Sequence, residues 1–252
     1  MGTRLLLVVL VALASLPSAI LGQENRDANL FRWNGQRWTP VDGWGVRVAL
    51  EPDGDPWVVN GNNEVWRWVN GEFQKLPGEA RDIGVGGDGS AWIIGTDSNV
   101  YRWNNNDWQR VPGSGIAISV DQLGAPWVVN AQNKIYHWVN NQFVMQSGEA
   151  KDIGAGTNVW IVGTDNALYQ LQGDVWKSMG GSAVRVSAGA PNTAWVVNDA
   201  GEIYHWQNGA FEMVNGRAED IAANSAGQVW MVGARGAGGF RGFGPRGRPR
   251  NR

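Results

Sequence analysis

Tryptophan recurs along this chain at an almost fixed interval. Trp57, Trp92, Trp127, Trp160, Trp195 and Trp230 are separated by 35, 35, 33, 35 and 35 residues. A second series with the same steps runs through Trp33, Trp68, Trp103, Trp138, Leu171 and Trp206, and a third through Trp38, Phe73, Trp108, Phe143, Trp176 and Phe211. Three series in phase, sharing one two-residue deletion before Trp160, define six copies of one repeat. A unit so short cannot bury its own apolar face, so it must stack on its neighbours.

Within a repeat the apolar runs are short and broken by turn residues, which predicts four strands. In the fifth copy these are Ala183 to Ser187 (A), Ala194 to Asn198 (B), Ile203 to Trp206 (C) and Ala210 to Val214 (D). Three residues before each strand-B Trp stand Gly54, Gly89, Gly124, Thr157, Asn192 and Gly227, mostly types that tolerate a tight hairpin. Asn34-Gly35, Asn70-Gly71 and Asn208-Gly209 are hairpin signals between strands C and D. Repeated four-stranded antiparallel units predict an all-β, six-bladed β-propeller. The series opens on strands C and D (Leu30 to Trp33, Arg37 to Val41) and ends on A and B (Ala218 to Ala223, Val229 to Gly233). The last blade is therefore expected to be closed by the N- and C-terminal strands.

Strand A should line the central channel. Its aliphatic position reads Val48, Ile83, Ile118, Ile153, Val186, Ile221, and the next reads Ala49, Gly84, Ser119, Gly154, Ser187, Ala222, all small enough for inner strands to crowd the axis. The preceding position reads Arg47, Asp82, Ala117, Asp152, Arg185, Asp220, a pattern that predicts ion pairs between neighbouring blades.

Residues 1–22 carry Arg4, an apolar run from Leu5 to Leu16, then Pro17 and small residues, as an export signal does, with cleavage expected after Ala19 or Gly22. The run is too short to span a bilayer. The expected organisation is a signal peptide over 1–22, a propeller over 23–235 and a disordered Gly/Arg-rich tail over 236–252, and the expected location is secreted or periplasmic. The formal net charge of -2 conceals an uneven spread, because Arg235, Arg241, Arg246, Arg248, Arg250 and Arg252 crowd the C-terminus and leave the body acidic. The chain has no Cys, which excludes disulfides, thiolate metal sites and a cysteine nucleophile.

Segments such as Gly78-Glu79-Ala80-Arg81-Asp82-Ile83-Gly84, Gly89-Ser90-Ala91-Trp92-Ile93-Ile94-Gly95 and Val100-Tyr101-Arg102-Trp103 resemble tectonin repeats, a likeness that covers roughly residues 30 to 235. The resemblance implies a propeller that recognises glycans on microbial or cell surfaces. The family also contains scaffolding members, so the alternative is a secreted structural or protein-interaction propeller without a sugar site.

Alternate repeats differ. Strand B ends in Asn60, Asn130 and Asn198 in the odd copies but in Gly95, Gly163 and Gly233 in the even ones, giving an effective period of about 70 residues. These asparagines, with the strand-C residues Arg67, Arg102, His137 and His205, are the expected carbohydrate-binding set, since all can make directed hydrogen bonds. The Trp series are expected to form interblade core. His137 and His205 are the only histidines and share one repeat position with Arg32, Arg67, Arg102 and Gln170, which marks them as repeat decoration rather than a general base. Asp53-Gly54-Asp55 lacks the spacing of a calcium loop, and no phosphate-cradling loop or nucleophile motif occurs. The reading is therefore of no enzyme, no cofactor and no metal. The expected partners are surface glycans, with lipopolysaccharide or another anionic glycan matching the basic tail and peripheral contact with a membrane surface following from that. Export argues against nucleic acid.

Overall fold

The computed structural model describes residues 28–234. The expected signal peptide and basic tail lie outside the described residues. Every regular element among the described residues is a β-strand, and the strands form three seven-stranded antiparallel sheets. The first runs in order through β3 (Arg47–Leu50), β4 (Pro56–Val59), β5 (Glu64–Val69), β6 (Glu72–Val85), β7 (Ala91–Gly95), β8 (Asn99–Trp103) and β9 (Trp108–Ser114). The second repeats this from β10 (Ala117–Val120) to β16 (Val175–Ser182) around the long β13 (Gln142–Ala155). The third joins β17 (Arg185–Ala188), β18 (Ala194–Val197), β19 (Glu202–Gln207), β20 (Ala210–Ala223) and β21 (Val229–Gly233) to β1 (Ala28–Trp33) and β2 (Trp38–Gly45).

The long strands correct the expectation that every D strand and the following A strand are separate. In β6, β13 and β20 the two are one strand of 14 residues. The first half of β6 pairs with β5 (Trp66 opposite Lys75) and the second half with β7 (Ile83 opposite Ile93). A bulge between Ala80 and Asp82 adds the local twist that lets one strand serve both ladders. The odd junctions are interrupted, at Val46, at 115–116 and at 183–184. The 70-residue alternation seen at the end of strand B thus also governs where the backbone breaks.

The two ends of the described chain meet in the third sheet, where Leu30 pairs with Val232, Phe31 with Met231 and Arg32 with Trp230. Leu30 is fully buried there, in a cluster with Val48, Val58 and Trp230.

The tryptophan series form the core between neighbouring repeats, as expected. Trp57 meets Trp103 and Trp108 of the next repeat edge-on at 6.1 Å each. Trp92 meets Trp138 at 5.7 Å, Trp160 meets Trp206 at 5.7 Å, and Trp195 meets Trp33 at 5.9 Å and Trp38 at 6.0 Å. Edge-to-face pairs add roughly 0.5–1.5 kcal/mol each beyond the area they bury. Trp127, facing Leu171, keeps Trp176 as its aromatic neighbour in the same cluster.

A glycine series makes this seating possible. Five residues after each strand-D aromatic stand Gly43, Gly78, Gly113, Gly148, Gly181 and Gly216, all at positive φ. A Cβ on Gly78 would come within 2.8 Å of Trp108, and one on Gly43 within 2.6 Å of Phe73. The small residues of the inner strands act likewise: a Cβ on Gly154 would meet the backbone of β17 at 2.8 Å. The turn Asn70-Gly71 has both residues at positive φ, as does Asn208-Gly209. Asn34-Gly35 differs: only the glycine is at positive φ, and the Asn34 side chain accepts the N–H groups of Gln36 and Arg37.

Candidate functional site

The charged ring expected on the inner strands is present, but its carboxylates have a second task. Arg47 approaches Asp82 at 3.5 Å, and Arg185 lies 3.5 Å from Asp152 and 3.6 Å from Asp220. Each Asp also accepts a main-chain N–H from the neighbouring inner strand: Asp82 from Ile118, Asp152 from Val186 and Asp220 from Val48. The bulge in each long strand places these carboxylates where they latch one repeat to the next. They border a narrow axial cavity of about 80 Å³. Burial pushes the Asp82 carboxyl up to about 7, against the opposing pull of Arg47 and with added repulsion from Asp152 and Asp220. Burial also raises Asp152 and Asp220. Ala117 occupies the position where Arg would give Asp82 a second cation.

Strand C carries the second set of candidates, and each lies flat against the strand-B tryptophan opposite it. The register pairs Trp57 with Arg67, Trp92 with Arg102, Trp127 with His137 and Trp195 with His205. The guanidinium of Arg67 sits 5.1 Å from the Trp57 ring and that of Arg102 5.3 Å from Trp92. His137 stacks on Trp127 at 4.0 Å and 14°, and His205 on Trp195 at 4.2 Å and 15°.

Beside two of these stacked pairs stands a carboxylate that sequence reasoning missed. Glu51 accepts hydrogen bonds from the Trp57 indole at 2.5 Å and from Arg67 Nε at 2.6 Å. That bond to Glu51, opposed by burial, raises the already high Arg67 pKa. Asp121 Oδ2 stands 3.4 Å from both the Trp127 indole nitrogen and His137 Nε2. Burial works to raise the Asp121 carboxyl, but His137 and the N–H groups of Ala125 and Leu123 outweigh it and hold the group low. The signal was in the sequence: Glu51 and Asp121 occupy one repeat position, which is glycine at Gly86, Gly156 and Gly189.

The asparagines do not join this set. Asn60 lies three residues beyond Trp57, so strand alternation places it on the opposite face from Arg67, among Val58, Trp66 and Phe73. The same holds for Asn130 relative to His137 and for Asn198 relative to His205. The structure therefore divides the seven expected binding residues between two faces of the sheets. Each asparagine also holds its own turn. Asn60 Oδ1 accepts the N–H groups of Asn62 and Glu64 and its amide donates to Glu64 at 2.7 Å; Asn198 binds Glu202 in the same two ways.

Asn130 departs from this pattern. Its Oδ1 accepts from Gln132 and Lys134, but the glutamate of the other two copies is replaced by Lys134, which pairs instead with Glu149. Its amide N–H₂ group and the neighbouring Tyr136 hydroxyl have no hydrogen-bond partner among the described residues. Both border a pocket of about 220 Å³ walled by Val128 and Phe143. The equivalent pocket at Asn60, of about 320 Å³, is walled by Trp66, Phe73 and Trp44, the last 61% exposed.

Sheets curled around an axial cavity, latched by charged residues and packed through aromatic wedges, define a β-propeller protein. Models of the tectonin domain match residues 14–92, 86–167 and 149–238, and the chain belongs to the tectonin domain family. The sequence matches no curated protein. Among solved structures it is similar to YCF48 bound to D1 peptide, at 18% identity over 79% of this chain and 84% of that one, with a TM-score of 0.50. It is also similar to YCF48 from Cyanidioschyzon merolae (14% identity, 79% and 86% covered, TM-score 0.50). Yeast RCC1 (Prp20) bound to Kap60 follows the same fold at 11% identity, 71% and 64% covered, with a TM-score of 0.54. These likenesses are of fold alone.

Proposed function

We propose that the protein is an exported, multivalent glycan-binding propeller of six four-stranded blades. Six in-phase repeats support the blade count, as do the long strands, each of which divides a seven-stranded sheet into two ladders. The observation that carries the glycan reading is the pocket at Asn130: an aromatic wall for the apolar face of a sugar ring, beside an unengaged amide and an unengaged hydroxyl. The related pocket at Asn60 adds a second shelf on the same sheet face, 70 residues away in the chain. Shallow sites of this size bind one sugar weakly. Several on one rigid ring raise avidity by about 10² to 10⁴ when a surface presents matching glycans.

The test is a glycan array probed with the full chain, followed by competition with monovalent and clustered forms of the best ligand. Clustered glycan should compete far better than the monovalent sugar. The paired replacement Asn130→Ala and Tyr136→Phe should weaken surface binding by roughly tenfold or more, as expected for losing two hydrogen bonds. An array without signal, or a double variant that coats its target as wild type does, overturns the proposal.

A further inference from the structure

Between β19 and β20 on one side and β1 with its following turn on the other lies a groove of about 800 Å³, bordered by Trp33, Trp195, His205, Arg32, Gln36 and Glu212, whose carboxylate accepts from the Gln207 amide. It contains the third of the stacked pairs found on the odd repeats. The geometry of Trp195 and His205, at 4.2 Å and 15°, nearly reproduces that of Trp127 and His137, at 4.0 Å and 14°. What differs is the carboxylate. Glu51 bonds both members of the first pair, and Asp121 accepts from the Trp127 indole of the second while standing 3.4 Å from His137 Nε2, whereas the same position here is Gly189. The Trp195 indole N–H and both ring nitrogens of His205 have no hydrogen-bond partner among the described residues.

An internal acid cannot be fitted at that position. A Cβ on Gly189 would lie 2.3 Å from the main-chain oxygen of Asn224, at the turn where the last inner strand comes round. Arg32, which makes no ion pair among the described residues, also borders the groove.

We propose that this groove is a docking site for an acidic peptide segment, whose Asp or Glu carboxylate takes the place that Glu51 and Asp121 fill in the other two odd repeats. The molecule itself supplies the template for the occupant. Glu51 directly follows the extended β3 and Asp121 directly follows the extended β10, so in both cases the carboxylate is presented by extended polypeptide. The site binds the carboxylate between the indole N–H, the imidazole and the Arg32 guanidinium, a charge-assisted arrangement. The exposed Gln36 side-chain amide can pair with the main chain of the bound segment.

The two histidines make the test internally controlled. The full chain, labelled with ¹⁵N, is titrated with a capped pentapeptide carrying one aspartate among glycines, with its asparagine counterpart, and with a galacturonate oligomer. The aspartate peptide should shift the His205 and Trp195 ring signals saturably while those of His137 and Trp127, already facing Asp121, stay in place. The asparagine peptide should bind more weakly by roughly tenfold, the loss of one charge-assisted hydrogen bond. His205→Phe, which keeps a flat ring over Trp195 but removes both nitrogens, should cause a similar loss, and Arg32→Gln a measurable one. Equal shifts from both peptides, no saturable shift at millimolar peptide, or binding of the galacturonate oligomer in place of the peptide overturns the assignment. None of these outcomes depends on Asn130, so the glycan proposal stands or falls separately.

Discussion

The indole of Trp108 is seated directly against Gly78, across the boundary between two repeats: a methyl group on that glycine would lie 2.8 Å from ring atom Cδ1, and the Trp108 N–H donates to the main-chain oxygen of Pro77 at 2.9 Å. Gly78→Ala must therefore displace the wedge and strain a residue at φ 84°. The expected loss is about 2–4 kcal/mol, combining left-handed strain with overpacking. Gly71 is the control, with φ 92° and nothing within 4 Å of an added Cβ. Gly71→Ala should cost only the strain, about 1–2 kcal/mol. Urea unfolding of both variants checks this, and equal losses would show that the wedge contributes nothing.

Ring closure rests on Leu30, fully buried where β1 pairs with β21. Leu30→Ala should destabilise by about 2–5 kcal/mol, the cost of a core truncation. Deleting residues 30 to 41 exposes the edge of β21 and should cause aggregation. A soluble deletion variant that melts cooperatively would show that the seam is dispensable.

The Asp82 carboxyl, held up near 7 by burial, makes stability depend on pH in a defined direction. Because the folded form holds its proton more tightly than the unfolded chain, this group binds more protons when folded between about pH 4 and 7. Its contribution is therefore most favourable below pH 4 and is lost as pH rises through 7. Asp82→Asn removes the titration while leaving a side-chain oxygen that can accept the Ile118 N–H. Thermal melts should show the melting temperature of the variant, relative to wild type, rising from pH 5 to pH 8. A constant difference across that range would refute the assignment.

Arg185 stands between two buried carboxylates, Asp152 and Asp220. Arg185→Ala leaves both short of a cation at neutral pH, with an expected loss of about 1–3 kcal/mol. The loss should shrink when the carboxylates are protonated, so melts at pH 4 and pH 8 distinguish it from lost packing. Double replacement with Asp152→Asn should recover part of the stability at pH 8.

Much of this architecture could be read from residue spacing alone. The tryptophan series located the repeats and their packing partners because an aromatic wedge has one place to go in each copy. The glycine series from Gly43 to Gly216 was equally visible, but its meaning depends on which ring lies above each Cα, and that ring belongs to the next repeat. Fusion of strands in β6 rests on a bulge between Ala80 and Asp82, which no hydrophobic pattern announces. For the candidate site, strand parity already separates Asn60 from Arg67. Engagement of the Asn60 amide by Glu64, and the freedom of the Asn130 amide next to Lys134, depend on side-chain placement instead.

The split of the third sheet has a consequence for how the molecule is made. The sheets of β3 to β9 and of β10 to β16 each use one uninterrupted stretch of chain and can assemble as soon as that stretch leaves the ribosome. Strands β1 and β2 emerge before either, yet their partner β21 is synthesised after every other described strand. The hairpin of β1 and β2 must therefore wait, with an unpaired edge, while β3 to β20 are translated, and contacts so distant in sequence form slowly. A circular permutant that joins residue 234 to residue 28 through a short linker and opens the chain between Ala183 and Val184 would make every sheet contiguous. It should refold faster than the natural order while reaching the same folded state.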